Sequence, residues 1–383
     1  MDLTEYFDAV DFEVLNKNTR LSPNHSFGTV LEKNTLACSG SNLGKADIAI
    51  VGVPFETKDN ELVASSVPDA IRKELYQLAA PGKIKVIDLG NLKQAQTLKG
   101  NYYALRDITD YLAELNVTVL VLGGSEDFAY GICQAFRGNQ FFTFSAVDAF
   151  LDVRKGKEAY DNQNYLSRIF TKQPDIFQFS LVGYQRHHVP AALFEKTKGV
   201  GEHLSLGALK DSIVLAEPIF RNSDFVAVDF GTLKHSEVKG KRKLPNGLGG
   251  EEICQLAKYA GLSRRLKTFA LFEVNDDKAA DGLNVALAAE SAWYFIEGVL
   301  QRSHADPQVE EHFVVHKVEI WQVETPLVFY EDNTTGQWWL RLQTMGNSFV
   351  FLACSEQDYL EASHNEIPEI YLKYVQKIDE LLK

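Results

Sequence analysis

Thr118-Val119-Leu120-Val121-Leu122-Gly123-Gly124-Ser125-Glu126-Asp127 is the stretch that decides the fold. Five β-branched or apolar residues run without interruption, a glycine pair stops them, and two carboxylates follow. A strand that is apolar on both faces belongs inside a parallel sheet covered by helices on both sides. Two later stretches repeat the design. Phe141–Val147 runs into Asp148-Ala149-Phe150-Leu151-Asp152, and Phe225–Val228 runs into Asp229-Phe230-Gly231. Carboxylates gathered beyond strand C-termini are what a hard-cation site in an open α/β sheet uses. Such sites add imidazole when they hold Mn, Fe or Zn, and none of the nine histidines falls in these three turns.

Working outward, the pattern alternates. Ala46–Val53 reads as a buried strand closed by Pro54, and Val67-Pro68-Asp69 opens a helix with Ile71, Leu75 and Leu78 on one face. A short strand at Lys85–Leu89 precedes a helix at Ala104–Leu115, whose stripe is Leu105, Ile108, Leu112 and Leu115. Helices near Phe128–Phe136 and Asn162–Phe170, strands at Ile176–Val182 and Ile213–Leu215, a helix from Glu251 to Ala260, a strand at Thr268–Val274 and a helix near Asn284–Leu300 continue it. This order predicts an α/β fold, a three-layer α/β/α sandwich with a mainly parallel sheet, over residues 45–302. Residues 1–44 read as a polar, loop-rich N-terminal extension. Residues 303–383 read as an appendage packed on the main domain: strands at Val314–Val323, Pro326–Tyr330 and Gln337–Leu342, then a helix near Pro368–Leu382. Its β-hairpin carries Trp338-Trp339, expected to pack the module onto the body, with an interaction surface as the other reading.

The 383 residues are 45% hydrophobic and 24% charged, ordinary globular composition. A formal charge of −13 argues against nucleic acid, which demands clustered Lys and Arg. The one basic run, Lys239-Gly240-Lys241-Arg242-Lys243, is read as a solvated loop. Cys38, Cys133, Cys254 and Cys354 are too scattered for a zinc framework or a disulfide scaffold. Met1–Glu5 lacks the basic and apolar regions of a signal peptide, and no apolar run is long enough to span a bilayer, so a cytoplasmic protein is expected. The pair His187-His188 is read as surface, since neighbours on a strand point to opposite faces.

Several short motifs, in order, carry a resemblance. Ala46–Phe55 resembles the first strand and G-x-P-x turn of the arginase–agmatinase–formimidoylglutamase (ureohydrolase) family. Pro68-Asp69-Ala70-Ile71-Arg72 is similar to that family's GPxAIR helix start, Asp88-Leu89-Gly90-Asn91 to its DLGN, and Phe272-Glu273-Val274-Asn275 with Leu287-Ala288-Ala289 to its EVNP…LAA close. Asp148–Arg154 looks most like the DAHxDxR of the formimidoylglutamase branch. The resemblance spans about residues 45–300. It implies two Mn²⁺ ions and a bridging hydroxide, formed because bound metal lowers the pKa of water, that attacks a guanidinium or formimino carbon.

Carried over residue by residue, the resemblance places a family histidine on Glu126 and the aspartate before it on Ser125. It places the DAHxD aspartates on Asp148 and Asp152 with its histidine on Phe150. It places the DxDxxDP aspartates on Asp229, Gly231 and Lys234. Glu273 falls on the glutamate that pairs with the substrate's cationic head, and Arg154 on the branch arginine, an anchor for a substrate carboxylate. Phe150 and Gly231 are lost-ligand positions, because a phenyl ring and a bare α-carbon donate no lone pair. Glu126, Asp148, Asp152 and Asp229 remain as oxygen donors suited to no cation or one divalent cation, Mn, Mg or Ca, rather than two Mn. Lys234 is the expected replacement for missing positive charge. The expectation is a non-catalytic homologue serving ligand binding, scaffolding or regulation, with a small molecule or protein as partner and homo-oligomers implied by the resemblance. The alternative is an active metal-dependent hydrolase of C–N bonds in linear amidines, with a remodelled, mononuclear site.

Overall fold

The computed structural model describes the chain except residues 9, 12–20, 22–24, 34–42, 59–60, 155–160, 173–175, 199–200, 240, 276–281, 304, 344–348 and 382–383. Its strands, in chain order, begin with β1 (Phe7–Asp8), β2 (Glu32–Lys33), β3 (Ile48–Gly52), β4 (Phe55–Lys58), β5 (Glu61–Ala64) and β6 (Val86–Leu92). Then come β7 (Thr118–Leu122), β8 (Thr143–Val147), β9 (Gln178–Tyr184), β10 (His203–Ser205), β11 (Phe225–Asp229) and β12 (Thr268–Phe272). A ten-stranded sheet has the order β1-β6-β3-β7-β12-β11-β8-β9-β10, with β2 also on β6. Every pairing in it is parallel except the antiparallel edge contact of β1 with β6.

The reason β7 must be apolar throughout is visible in its packing. Val119 and Val121 enter the core on one face, and Leu120 and Leu122 enter the core on the other. Ala270 and Phe272 of β12 join the first core, Phe269 and Leu271 the second. Helices on both faces cover the sheet, giving the expected α/β/α sandwich. β7, β12, β11 and β8 are consecutive neighbours, so their C-terminal ends, and the carboxylates that follow them, meet at one place on the rim.

Two family-like motifs meet under that rim as structure. The fully buried Arg72 guanidinium, from the helix Val67–Leu75, donates Nε and Nη2 to the Asp88 carboxylate at 2.8 and 2.9 Å and Nη2 to the Gly90 carbonyl at 2.9 Å. The Tyr76 hydroxyl donates to the same carboxylate at 2.6 Å. Motif residues 68–72 and 88–91 therefore clamp the helix Val67–Leu75 onto β6.

Some expectations fail. Ile213–Leu215 is a 3-10 turn, not a strand; it feeds directly into the short helix Ala216–Arg221. A three-residue apolar run carries too little period to tell the two apart. The third strand at that edge is β10 instead. The N-terminal extension is not only loop, since β1 and β2 both pair with β6. The appendage is larger than a hairpin: β13 (Phe313–Val318), β14 (Leu327–Asp332), β15 (Trp338–Gln343) and β16 (Phe349–Cys354) form a four-stranded antiparallel sheet. Helices Glu356–Ser363 and Glu369–Leu381 follow. Arg221 docks this sheet to the body, donating to the Trp338 and Cys354 carbonyls at 3.1 and 3.0 Å and lying over the Trp339 ring. No helix among the described residues is long and apolar enough to cross a membrane.

Candidate functional site

The turn after β7 begins the site. Gly123 and Gly124 have φ of +76° and +86°, and a Cβ on them would lie 2.9 Å from Pro68 and 2.8 Å from Val53. Only glycine takes that path without strain, and it delivers Glu126 to the sheet rim, fully buried. Asp148 and Asp152 arrive from the end of β8 and Asp229 from the end of β11, all buried. Oxygens of Glu126, Asp148 and Asp229 lie within 4.8 Å of one another.

A cation from the chain itself stands among them. The Arg242 guanidinium is 3.2 Å from Asp148, 3.0 Å from Asp152 and 3.4 Å from Asp229. Its Cζ sits 4.5 Å from the centroid of the Phe150 ring, a cation–π geometry. Phe150 is itself stacked on His188 at 4.5 Å. Gly231 makes room: a Cβ there would lie 3.1 Å from the Arg242 Cδ and 2.9 Å from an Asp229 oxygen. Beside it, Lys241 Nζ reaches Glu273 at 3.2 Å and Glu56 at 2.8 Å.

The solvated-loop reading of the basic run holds for Lys239, Lys241 and Lys243, which are exposed, but not for Arg242, which turns inward from a loop tied at its base. Lys234 N–H donates to the Leu248 carbonyl at 2.9 Å, and His235 N–H to the Leu244 carbonyl at 2.9 Å, which closes its base. Val238 and Leu244 are buried. The Asn275 and Asn284 side-chain amides both donate to the Lys239 carbonyl, at 2.9 and 2.7 Å. Charged residues entered the pocket because partners of opposite sign and two amide clamps were waiting there.

Electrostatics follow from burial. Burial works to lower the Arg242 pKa, but Asp229, Asp148 and Asp152 outweigh it and hold the guanidinium charged. One guanidinium cannot neutralise four buried carboxylates. Burial, then Asp148 and Asp229, push Glu126 well above the carboxylate range; burial raises Asp148 and Asp152 against the pull of Arg242, and raises Asp229 to about 6. Glu126 accepts from the Tyr165 hydroxyl at 2.7 Å. Glu273, at φ +57°, holds the left-handed backbone that non-glycine residues seldom adopt. Its Oε1 accepts from the Glu126 N–H at 3.0 Å and from the Asn162 amide at 2.9 Å.

The structure thus brings together Glu126, Asp148, Asp152, Asp229, Phe150, Gly231 and Glu273. It does not bring Lys234, which is half-exposed and 3.7 Å from Glu237; the cation standing among the carboxylates is Arg242, eight positions on. Nor does it bring the Arg154 side chain, which is exposed and donates to Gln163. Phe150, a lost-ligand position in the resemblance, is a half-buried platform under Arg242. His187 and His188 lie beyond β9 in a turn, so their rings are not on opposite faces but 4.1 Å apart. Asp127, not singled out in the sequence, is buried and accepts from the Thr57 and Tyr102 hydroxyls. With Ser125 accepting the Thr57 N–H at 2.8 Å, it ties β4 to the turn.

Comparison with known proteins agrees with this architecture. Residues 46–200 match the family model described as the arginase family. The formimidoylglutamase of Citrobacter koseri is 25% identical over 250 residues, covering 61% of this chain and 79% of that protein. That of Salmonella arizonae is 26% identical over 243 residues, covering 60% and 77%. Among solved structures, Trypanosoma cruzi formiminoglutamase with Mn²⁺ superposes with a TM-score of 0.61 at 18% identity, over 69% of this chain and 98% of that one. Bacillus subtilis formimidoylglutamase gives 0.63 at 16% identity, over 74% and 95%. At these identities the structural likeness is one of fold. The chain therefore carries an arginase-family (ureohydrolase) domain, similar in sequence and fold to formimidoylglutamases.

Proposed function

We propose that this protein is a non-catalytic arginase-family homologue whose own Lys241-Arg242 pair takes the places of the cations on which the family's chemistry depends. The observation that carries the proposal is the Arg242 guanidinium, 3.0 to 3.4 Å from three of the four carboxylates. Lys241 meets Glu273, the position where the resembled family holds a substrate's cationic head. Two metal ions bridged by solvent do not fit this donor set. The histidine positions are Glu126 and Phe150, Gly231 supplies no donor, and a charged guanidinium fills the space between the oxygens that remain. The site then works as a sealed ion-pair cluster that fixes four strand ends, leaving the surface to ligands or partners. Within this proposal the protein works in the cytoplasm, where thiols stay reduced: Cys133, Cys254 and Cys354 are buried and form no disulfide.

A second reading has one observation in its favour: Glu126, Asp148 and Asp229 present oxygens close enough for one divalent ion. It makes the protein a mononuclear C–N hydrolase of formimino, guanidino or amidine compounds, and it requires Arg242 to leave. One experiment separates them. The purified chain is equilibrated with Mn²⁺, freed of excess ion, analysed for bound metal and assayed with N-formimino-glutamate, agmatine and arginine. The proposal expects substoichiometric metal and no metal-dependent turnover. One equivalent of Mn²⁺ with turnover abolished in Asp148→Ala establishes the second reading.

A further inference from the structure

A cavity of about 410 Å³ opens beside the sealed cluster, at the ends of β9 and β10, within the size range of small-molecule sites. Three separate chain segments wall it, and each contributes positive charge. Arg186 and His187 come from the turn after β9, Lys210 from the helix Leu206–Asp211, and Lys234 from the base of the loop that carries Arg242. No carboxylate lines it among the described residues. In a chain of formal charge −13, such a convergence opposes the field of the whole molecule. Lys210 is held by Glu252 at 2.8 Å and Lys234 by Glu237 at 3.7 Å, and neither glutamate lines the cavity. The two lysines are thereby positioned, and their side chains remain 43% and 41% exposed.

We propose that this cavity binds a small molecule bearing two anionic groups, carboxylate or phosphoryl, one met by Arg186 and His187 and the other by Lys210 and Lys234. The ligand is small because Leu206, Gly207, Asn246 and Gly247 close the remaining wall. The claim stands apart from the fate of the carboxylate cluster, since none of its residues belongs to that cluster. Gln185 spans the two places: its Nε2 donates to the Asn246 carbonyl at 3.0 Å, tying this wall to the loop that carries Arg242.

The test is calorimetric titration of the full chain with inorganic phosphate, glutarate and citrate, against sodium chloride at matched ionic strength. Saturable binding is expected for at least one probe, with Kd of roughly 1 mM or tighter. Phosphate alone binding identifies a phosphoryl ligand; glutarate or citrate binding identifies a polycarboxylate. Arg186→Gln is expected to weaken binding roughly tenfold or more, the loss of one charge-assisted hydrogen bond. Gly207→Phe is expected to abolish it by filling the cavity; a Cβ there meets nothing within 4 Å, and an unchanged urea midpoint checks that the variant folds. No heat beyond the chloride control for any probe overturns the proposal. So does binding that survives unchanged in both variants.

Discussion

Replacing Arg242 with methionine keeps most of the apolar stem and removes the guanidinium that faces the aspartates and lies over Phe150. In the parent, Asp148 and Asp229 have side chains 2% and 0% exposed, and both face the guanidinium at 3.2 and 3.4 Å. Removing one partner of a buried ion pair commonly costs about 3–5 kcal/mol, because the other charge is left in a low-dielectric site. Arg242 is 21% exposed, so water softens the loss toward the lower end of that range. Urea denaturation at neutral pH should therefore show Arg242→Met less stable by about 3 kcal/mol. The second half of the prediction is more discriminating. With the guanidinium gone, the oxygens of Glu126, Asp148 and Asp229, within 4.8 Å of one another, face a vacated cation position. Mn²⁺ should then stabilise the variant, by about 2.7 kcal/mol at a hundredfold excess over Kd, while leaving the parent unmoved. A variant within about 0.5 kcal/mol of the parent, or a parent that gains as much from Mn²⁺ as the variant, refutes the reasoning.

Other perturbations bear on the same argument. Gly231→Asp restores a family donor but drives a Cβ to 3.1 Å from the Arg242 stem; alone it should destabilise by about 1–3 kcal/mol, whereas in the Arg242→Met background it should tighten Mn²⁺ binding on the order of tenfold, read by calorimetry. Arg72→Met strands the fully buried Asp88 carboxylate and should cost about 3–5 kcal/mol by urea denaturation, with no change in metal affinity. His203 is lowered to about 4, chiefly by burial, and is neutral in the fold. Its contribution is therefore complete above the unfolded value near 6.5 and is lost as pH falls through the folded value, up to about 3 kcal/mol. His203→Gln should lose about that much less stability than the parent between pH 7 and 4, measured by urea midpoints at each pH.

The sheet and the meeting of the carboxylates were legible in the sequence for one physical reason. A parallel strand buried on both faces must be apolar at every position, so β7, β8, β11 and β12 announce themselves and their ends mark the rim. Arg242 was not legible locally. The run 239–243 has the composition of a solvated loop, and its fate is set by partners far along the chain: Asp148, Asp152, Asn275 and Asn284. Charge did leave a signal. Four carboxylates gathered at buried positions call for a cation, and the sequence position aligned with the family pattern, Lys234, lies eight residues before the arginine that reaches them. Phe349–Cys354 was an apolar run of strand length and was passed over as the partner of Trp338–Gln343.

Within the proposed function, the departures at 150, 231 and 242 bear on each other through direct contacts. Arg242 is given room by Gly231, because a Cβ at 231 would lie 3.1 Å from its Cδ and force the stem to shift. It uses Phe150, whose ring faces the guanidinium that the retained aspartates hold. A histidine at 150 without the loss of Arg242 would set an imidazole against a charged guanidinium; an aspartate at 231 would displace the stem. On the proposed function, each single step back toward a metal-binding site is expected to give a less stable protein, measurable by urea denaturation of the single variants. The counter-charge, the space for it and the ring beneath it occur together, which is what the proposed replacement of the family's cations by Arg242 requires.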